Sequence, residues 1–154
     1  MKKNLLILIS LSFAVFIVFR ESFNTFFAQD DFILISHFSQ SNLFSDFINI
    51  LKLEVTHWRP LHNLFFLVAG NLFGKNFILY HLITFLIHIT VSFLIYKITK
   101  ILLEDKLASF IAAFIYAIHP SHFITLFWIS GSATTIGFLL FLTSFYSYLK
   151  NREK

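Results

Sequence analysis

"NFILYHLITFLIHITVSFLIY", residues 76–96, decides the class of fold. It carries no Asp, Glu, Lys or Arg, and a helix of about 20 such residues crosses the roughly 30 Å hydrocarbon core of a bilayer. Its polar residues, His81, Thr84, His88 and Ser92, step by three, four and four. That spacing puts them on one face of a helix. In lipid such a stripe faces protein, because an unpartnered polar group in hydrocarbon is costly.

The rest of the chain agrees with this stretch. Of its 154 residues, 57% are hydrophobic and 13% charged, with 23 phenylalanines and a mean hydropathy of +0.77. A water-soluble domain carries about twice that share of charge, so lipid is the expected solvent. Cysteine is absent, which removes disulfides and thiolate metal sites. The net charge of +4 does not mark a nucleic-acid binder, since the basic residues sit at the ends of apolar segments. No Walker loop, GxGxxG or zinc-protease signature occurs, and there is no tandem repeat or soluble domain.

The expected architecture is all-α: one polytopic membrane domain, residues 1–154, with about four transmembrane helices plus interfacial helices in the first external loop. The spans fall at about 5–23, 77–97, 107–119 and 130–149. The first lacks a small residue two places before Ala28, where Phe26 stands, so it reads as an uncleaved helix. Within the more polar stretch 28–59, Leu43, Phe44, Phe47, Ile48 and Leu51 recur at helical spacing, which suits a surface helix over about 41–53. Pro60 is a good first helical residue and Gly74 a good stop; the segment 60–73 is too short to cross and reads as interfacial or re-entrant.

Orientation follows from Lys and Arg. With 60–73 not crossing, one side holds Lys2, Lys3, Lys97, Lys100, Lys106, Lys150, Arg152 and Lys154, and the other only Arg20, Lys52, Arg59 and Lys75. The basic side is the cytoplasmic one, so both termini are expected in the cytoplasm of a cell-membrane protein. Asp30, Asp31, His57, Trp58, Arg59, His119 and His122 then share the outer face.

Three groups there carry chemistry. Asp30 and Asp31 follow the first span closely. A carboxylate at the membrane surface can act as a general base on a hydroxyl, with its neighbour as a metal ligand or a hydrogen-bond partner. This leaves a place for a divalent cation and names no other cofactor; a solvated turn or a helix N-cap is the plainer alternative. "THWRPLH" sets Arg59 between His57 and His62, a grouping suited to phosphate or to interfacial anchoring. "HPSH" places His119 and His122 at i, i+3, which suits either a ligand pair or a helix end at Pro120.

The order of these parts is a span, "DD", a surface helix and "WRPL", then "YHLITFLIHITVSFLIYKI" and "AAFIYAIHPSHFITLFWISG". Taken together it resembles the amino-terminal part of the GT-C membrane glycosyltransferases. The likeness is closest to the branch with protein O-mannosyltransferases and tetratricopeptide-bearing transmembrane mannosyltransferases, and covers about residues 5–149. The resemblance implies transfer of a sugar from a polyprenyl-phosphate donor to an acceptor on the outer face, with inversion. It implies a catalytic base at Asp30 or Asp31, and donor-phosphate contacts from His57, Arg59, His62, His119 or His122. The branch often follows "WISG" with Arg and an acidic residue, where this chain has Ser132, Ala133 and Thr134. It also has many more spans, so a fragment, one part of a split enzyme or an inactive remnant is expected. The competing expectation is a small non-catalytic membrane protein that packs against a larger polytopic partner through the His81, Thr84, His88, Ser92 stripe.

Overall fold

The structure is a computed structural model, and it describes residues 2–38, 42–52 and 59–152. Among them there is no strand. The helices are α1 (Lys2–Phe19), α2 (Asp30–Phe38), α3 (Leu43–Leu51), α4 (Pro60–Phe73), α5 (Phe77–Leu103), α6 (Lys106–Ile118), α7 (Phe123–Phe127) and α8 (Ser132–Arg152). Short 3-10 turns at Arg20–Asn24, Pro120–His122 and Ile129–Gly131 join them. Three helical stretches are long and apolar enough to cross a membrane: Asn4–Asn24, Phe77–Leu103 and Ile129–Arg152. A fourth crossing, if made, is a bent one: Lys106–Ile118 continues into Pro120–Phe127 at an angle of 42°. This is an all-helical, multi-pass membrane architecture.

Helix α5 is the strut of the bundle. It is apolar around its circumference apart from the His81, Thr84, His88 and Ser92 stripe, as a helix with protein on some sides and lipid on the others must be. It packs on α1, α6 and α8, and its contact with α6 is the most extensive in the molecule. Small residues make close approach there possible: Ser92 on α5 and Ser109, Ala113 and Ala117 on α6 are completely buried.

The stripe on α5 faces inward, as expected, and it has a use. His81, Thr84, His88 and Ser92 are all buried. Each helix end leaves backbone carbonyls without partners, and lipid cannot supply them. His88 Nε2 lies 2.9 Å from the carbonyl of Ala117, in the last turn of α6. His81 Nδ1 lies 3.0 Å from the carbonyl of Leu126 in α7, and its Nε2 lies 2.9 Å from that of Thr25, just past the first span. A neutral imidazole carries one N–H, so His88 can donate to the Ala117 carbonyl and His81 to one of its two carbonyls, where neighbouring helices end. Because the stripe is enclosed by this chain's own helices, it is not a face free to hold a larger partner.

The smaller helices sit near one end of the bundle. Asn42 caps α3, its Oδ1 accepting from the N–H groups of Phe44 (3.0 Å) and Ser45 (3.3 Å). Phe44, Phe47, Ile48 and Leu51 are exposed, and Ile50 is the buried residue of α3. Helix α4 is about 21 Å long at 1.5 Å per residue, short of a bilayer core. It stops at Gly74, whose φ of 55° is left-handed. The Tyr80 hydroxyl donates to the Gly74 carbonyl at 2.8 Å and ties this turn to α5. Gly70 lets α2 lie close, since a Cβ there would stand 3.3 Å from the Phe38 carbonyl carbon.

If the α5–α6 seam depends on small residues, Ala113→Leu should cost about 1–3 kcal/mol by overpacking. The lipid-facing Ile115→Leu should be nearly silent. Thermal unfolding in mild detergent compares the two, and equal midpoints would contradict the packing described.

Candidate functional site

The adjacent aspartates occupy the first turn of α2. Residues one apart on a helix point about 100° away from each other, so they cannot share one environment. Asp31 is 1% exposed. Its Oδ2 accepts the N–H of Ala28 at 3.1 Å, a reach back over the helix start that resembles the acidic half of a capping box. Its Oδ1 accepts the backbone N–H of Ser130 at 2.8 Å and the Ser130 hydroxyl at 2.5 Å. Asp30 is exposed, and among the described residues it accepts no hydrogen bond and joins no ion pair. Gln29 turns the chain into α2 at a φ of 47°, in the left-handed region.

Ser130 belongs to the 3-10 turn before α8, and that turn depends on its glycine. A Cβ on Gly131 would stand 2.7 Å from the carbonyl oxygen of Ile124, closer than real Cβ atoms come. On either side of Ser130, the Trp128 indole Nε1 and the Ser132 hydroxyl are buried and have no partner among the described residues. Buried donors are nearly always paired in proteins, so such groups mark a place where a ligand or water fits.

Arg59 and His62 come from the start of α4. Arg59 is exposed and free of ion pairs among the described residues. His62 is 6% exposed, packs edge-on against Phe66, and its Nε2 has no partner among the described residues. Burial pushes its pKa below the usual 6.5, and the nearby Arg59 guanidinium pushes the same way; Asp31 and Asp30 oppose them more weakly. The imidazole is therefore neutral near pH 7.

The fold accordingly assembles Asp30, Asp31, Arg59 and His62 at one end of the bundle. His57 lies outside the described residues. His119 and His122 belong to a different group. The His119 Nδ1 faces the Ser121 hydroxyl at 2.8 Å and accepts the Ser121 N–H at 3.2 Å, closing the turn after α6. The His122 ring packs on Tyr116 and His88, with centroids 4.4 and 4.6 Å away. Among the described residues, no cluster of three or more His, Asp or Glu is arranged to hold a metal. Ser130 was not a sequence candidate; its one signal was its place in "WISG", next to a glycine.

No protein-family model matches this chain, and no solved structure matches it. Curated proteins do. It is 32% identical over 95 residues to human protein O-mannosyl-transferase TMTC3, covering 62% of this chain and 10% of that protein. It is 36% identical over 94 residues to human protein O-mannosyl-transferase TMTC2, covering 61% and 11%. It is 27% identical over 99 residues to protein O-mannosyl-transferase Tmtc1 of Drosophila melanogaster, covering 62% and 12%. The matched part is thus about a tenth of the length of these relatives.

The Asp31 network sets an order of stabilities. Asp31→Ala strands three donors and should cost about 2–4 kcal/mol. Asp31→Asn keeps an acceptor for Ser130 but turns an NH2 toward the Ala28 N–H, and should cost less. Ser130→Ala loses only the hydroxyl, about 1 kcal/mol. Thermal unfolding of the three variants reads the order, and a silent Asp31→Ala would refute the network. His62 gives a pH dependence. Its folded pKa lies below its unfolded one, so the stability it contributes is complete above about pH 6.5 and is lost as pH falls below that. Wild type should therefore lose more stability than His62→Gln between neutral and mildly acidic pH, measured as melting temperature against pH.

Proposed function

We propose that this chain is the amino-terminal part of a membrane glycosyltransferase of GT-C type, with Asp30 as the general base. The observation that carries this reading is the division between the two aspartates. Asp31 is buried and committed to holding the site together, while Asp30, one residue away, keeps a free carboxylate at the surface. The similarity to proteins named as O-mannosyl-transferases supports the same reading.

In the proposed reaction Asp30 takes the proton of an acceptor hydroxyl as its oxygen attacks the anomeric carbon of the donor sugar. The bond from that carbon to the phosphate oxygen breaks from the opposite side, and polyprenyl phosphate leaves with the electron pair. Arg59, with its permanent charge, meets the charge growing on the phosphate. His62, being neutral, contributes a hydrogen bond rather than a charge. His57, which lies outside the described residues, stays a phosphate-contact candidate from the sequence alone. The unpartnered Trp128 and Ser132 donors suit hydroxyl or phosphate oxygens of a ligand. His119 and His122 take no part in this reading, because their contacts go to Ser121, Tyr116 and His88. The reading keeps the site on the outer face of a cell membrane and both termini in the cytoplasm.

Asp30→Asn should lower sugar transfer by about a hundredfold or more while leaving insertion and melting temperature unchanged. The assay uses membranes containing the protein, a polyprenyl-phosphate mannose donor and a hydroxylated peptide acceptor. Undiminished transfer by Asp30→Asn, measured against an active wild type, would reject Asp30 as the base. A wild type without transfer would reject the catalytic reading for this chain.

A further inference from the structure

Where α5 and α8 end, far from Asp31, their last two turns bring Lys97, Lys100 and Lys150 into one cleft of about 340 Å³, completed by Ile101, Glu104 and Tyr146. From His81 to Lys100 the helix rises about 28 Å, so this cleft lies roughly a bilayer core away from the aspartates. Among the described residues none of the three ammonium groups forms an ion pair; the one ion pair there joins Arg20 and Glu21. The neighbouring Asp105 is occupied, its Oδ1 accepting the N–H groups of Leu107 and Ala108 to cap α6. Lys97 also rests over the Phe93 ring, 5.6 Å from its centre.

Lysines in the last turn of a helix are favoured by its dipole in any case. Two helix ends contribute about half a negative charge each, and Glu104 one more, so three lysines still leave the cleft positive. The cleft also adjoins apolar surface. Tyr146 and Ile101 pack on the buried cluster of Val91, Ile98, Leu142 and Leu149, and Phe93, one turn from Lys97 toward the bilayer core, is partly exposed. A positive cleft with apolar side chains on its bilayer side fits an anion carried on an apolar body.

We propose that this cleft binds the phosphate headgroup of an anionic phospholipid. Lys97, Lys100 and Lys150 meet the phosphate oxygens, the Tyr146 hydroxyl donates a hydrogen bond, and the acyl chains run toward the bilayer core past Phe93. The site is separate from the proposed catalytic one and does not depend on it.

The test is native mass spectrometry and thermal unfolding of the purified protein in mild detergent, with phosphatidylglycerol, phosphatidylcholine or glycerol 3-phosphate added. Phosphatidylglycerol should stay bound and raise the melting temperature, and its binding should weaken as salt rises. The variant Lys97→Gln/Lys100→Gln/Lys150→Gln should lose on the order of tenfold or more in apparent affinity. The charge-matched control Arg20→Gln/Lys52→Gln/Lys75→Gln, altered at the other end, should keep it. Equal retention of phosphatidylcholine, equal protection by glycerol 3-phosphate, indifference to salt, or equal loss in the control would each overturn the proposal. If the triple variant does not fold, the salt and lipid comparisons on wild type decide the matter.

Discussion

The carboxylate of Asp31 joins the first turn of α2 to a turn 99 residues later in the chain. Burying that charge costs several kcal/mol unless donors replace the water it loses. Here they do: two backbone N–H groups and a hydroxyl converge on it, at the positive end of a helix. Much of the site follows from this one group. It fixes where α2 begins, and so where Asp30 is presented. It fixes the turn before α8, where Gly131 has no room for a side chain and where the Trp128 and Ser132 donors are held. Removing the carboxylate would leave its donors buried and unmatched, which is why the whole end of the bundle depends on it.

A second constraint comes from the bilayer. A helix that stops or bends within it leaves carbonyls that water cannot reach, and side chains must serve them. The first span ends in a 3-10 turn, α6 stops at Ile118, and α7 is a short helix after a bend. The imidazoles of His81 and His88 lie against carbonyls at these three places. Their presence on an otherwise apolar helix therefore has a structural reason apart from any chemistry. Helix α5 bears the irregular helices as well as the regular ones.

The two ends of the bundle differ in kind. One holds two aspartates, an arginine, a neutral histidine and several buried, unpartnered donors. The other holds lysines with little acidic opposition. One suits a reaction at a surface, the other an anion in a lipid layer. The separation is enforced by α5 and α8, each uncharged until its last two turns, since charge is tolerated only at their ends.

Much of this was legible in the residues alone. Periodicity and composition determined that 76–96 is a membrane helix, that His81, Thr84, His88 and Ser92 face inward, and that 60–73 starts at a proline and stops at a glycine. These are local matters, settled by rise per residue, helical phase and the cost of polar groups in lipid. Helix α2 was not legible, because "DDFILISHF" is too short and too uniformly apolar after its aspartates to show a period. The helix end at Pro120 was legible, but the 42° bend into α7 was not. Which aspartate is held and which is free was decided only by the tertiary structure. Two adjacent carboxylates are chemically identical in sequence. They became different when packing turned one toward Ser130 and left the other in solvent.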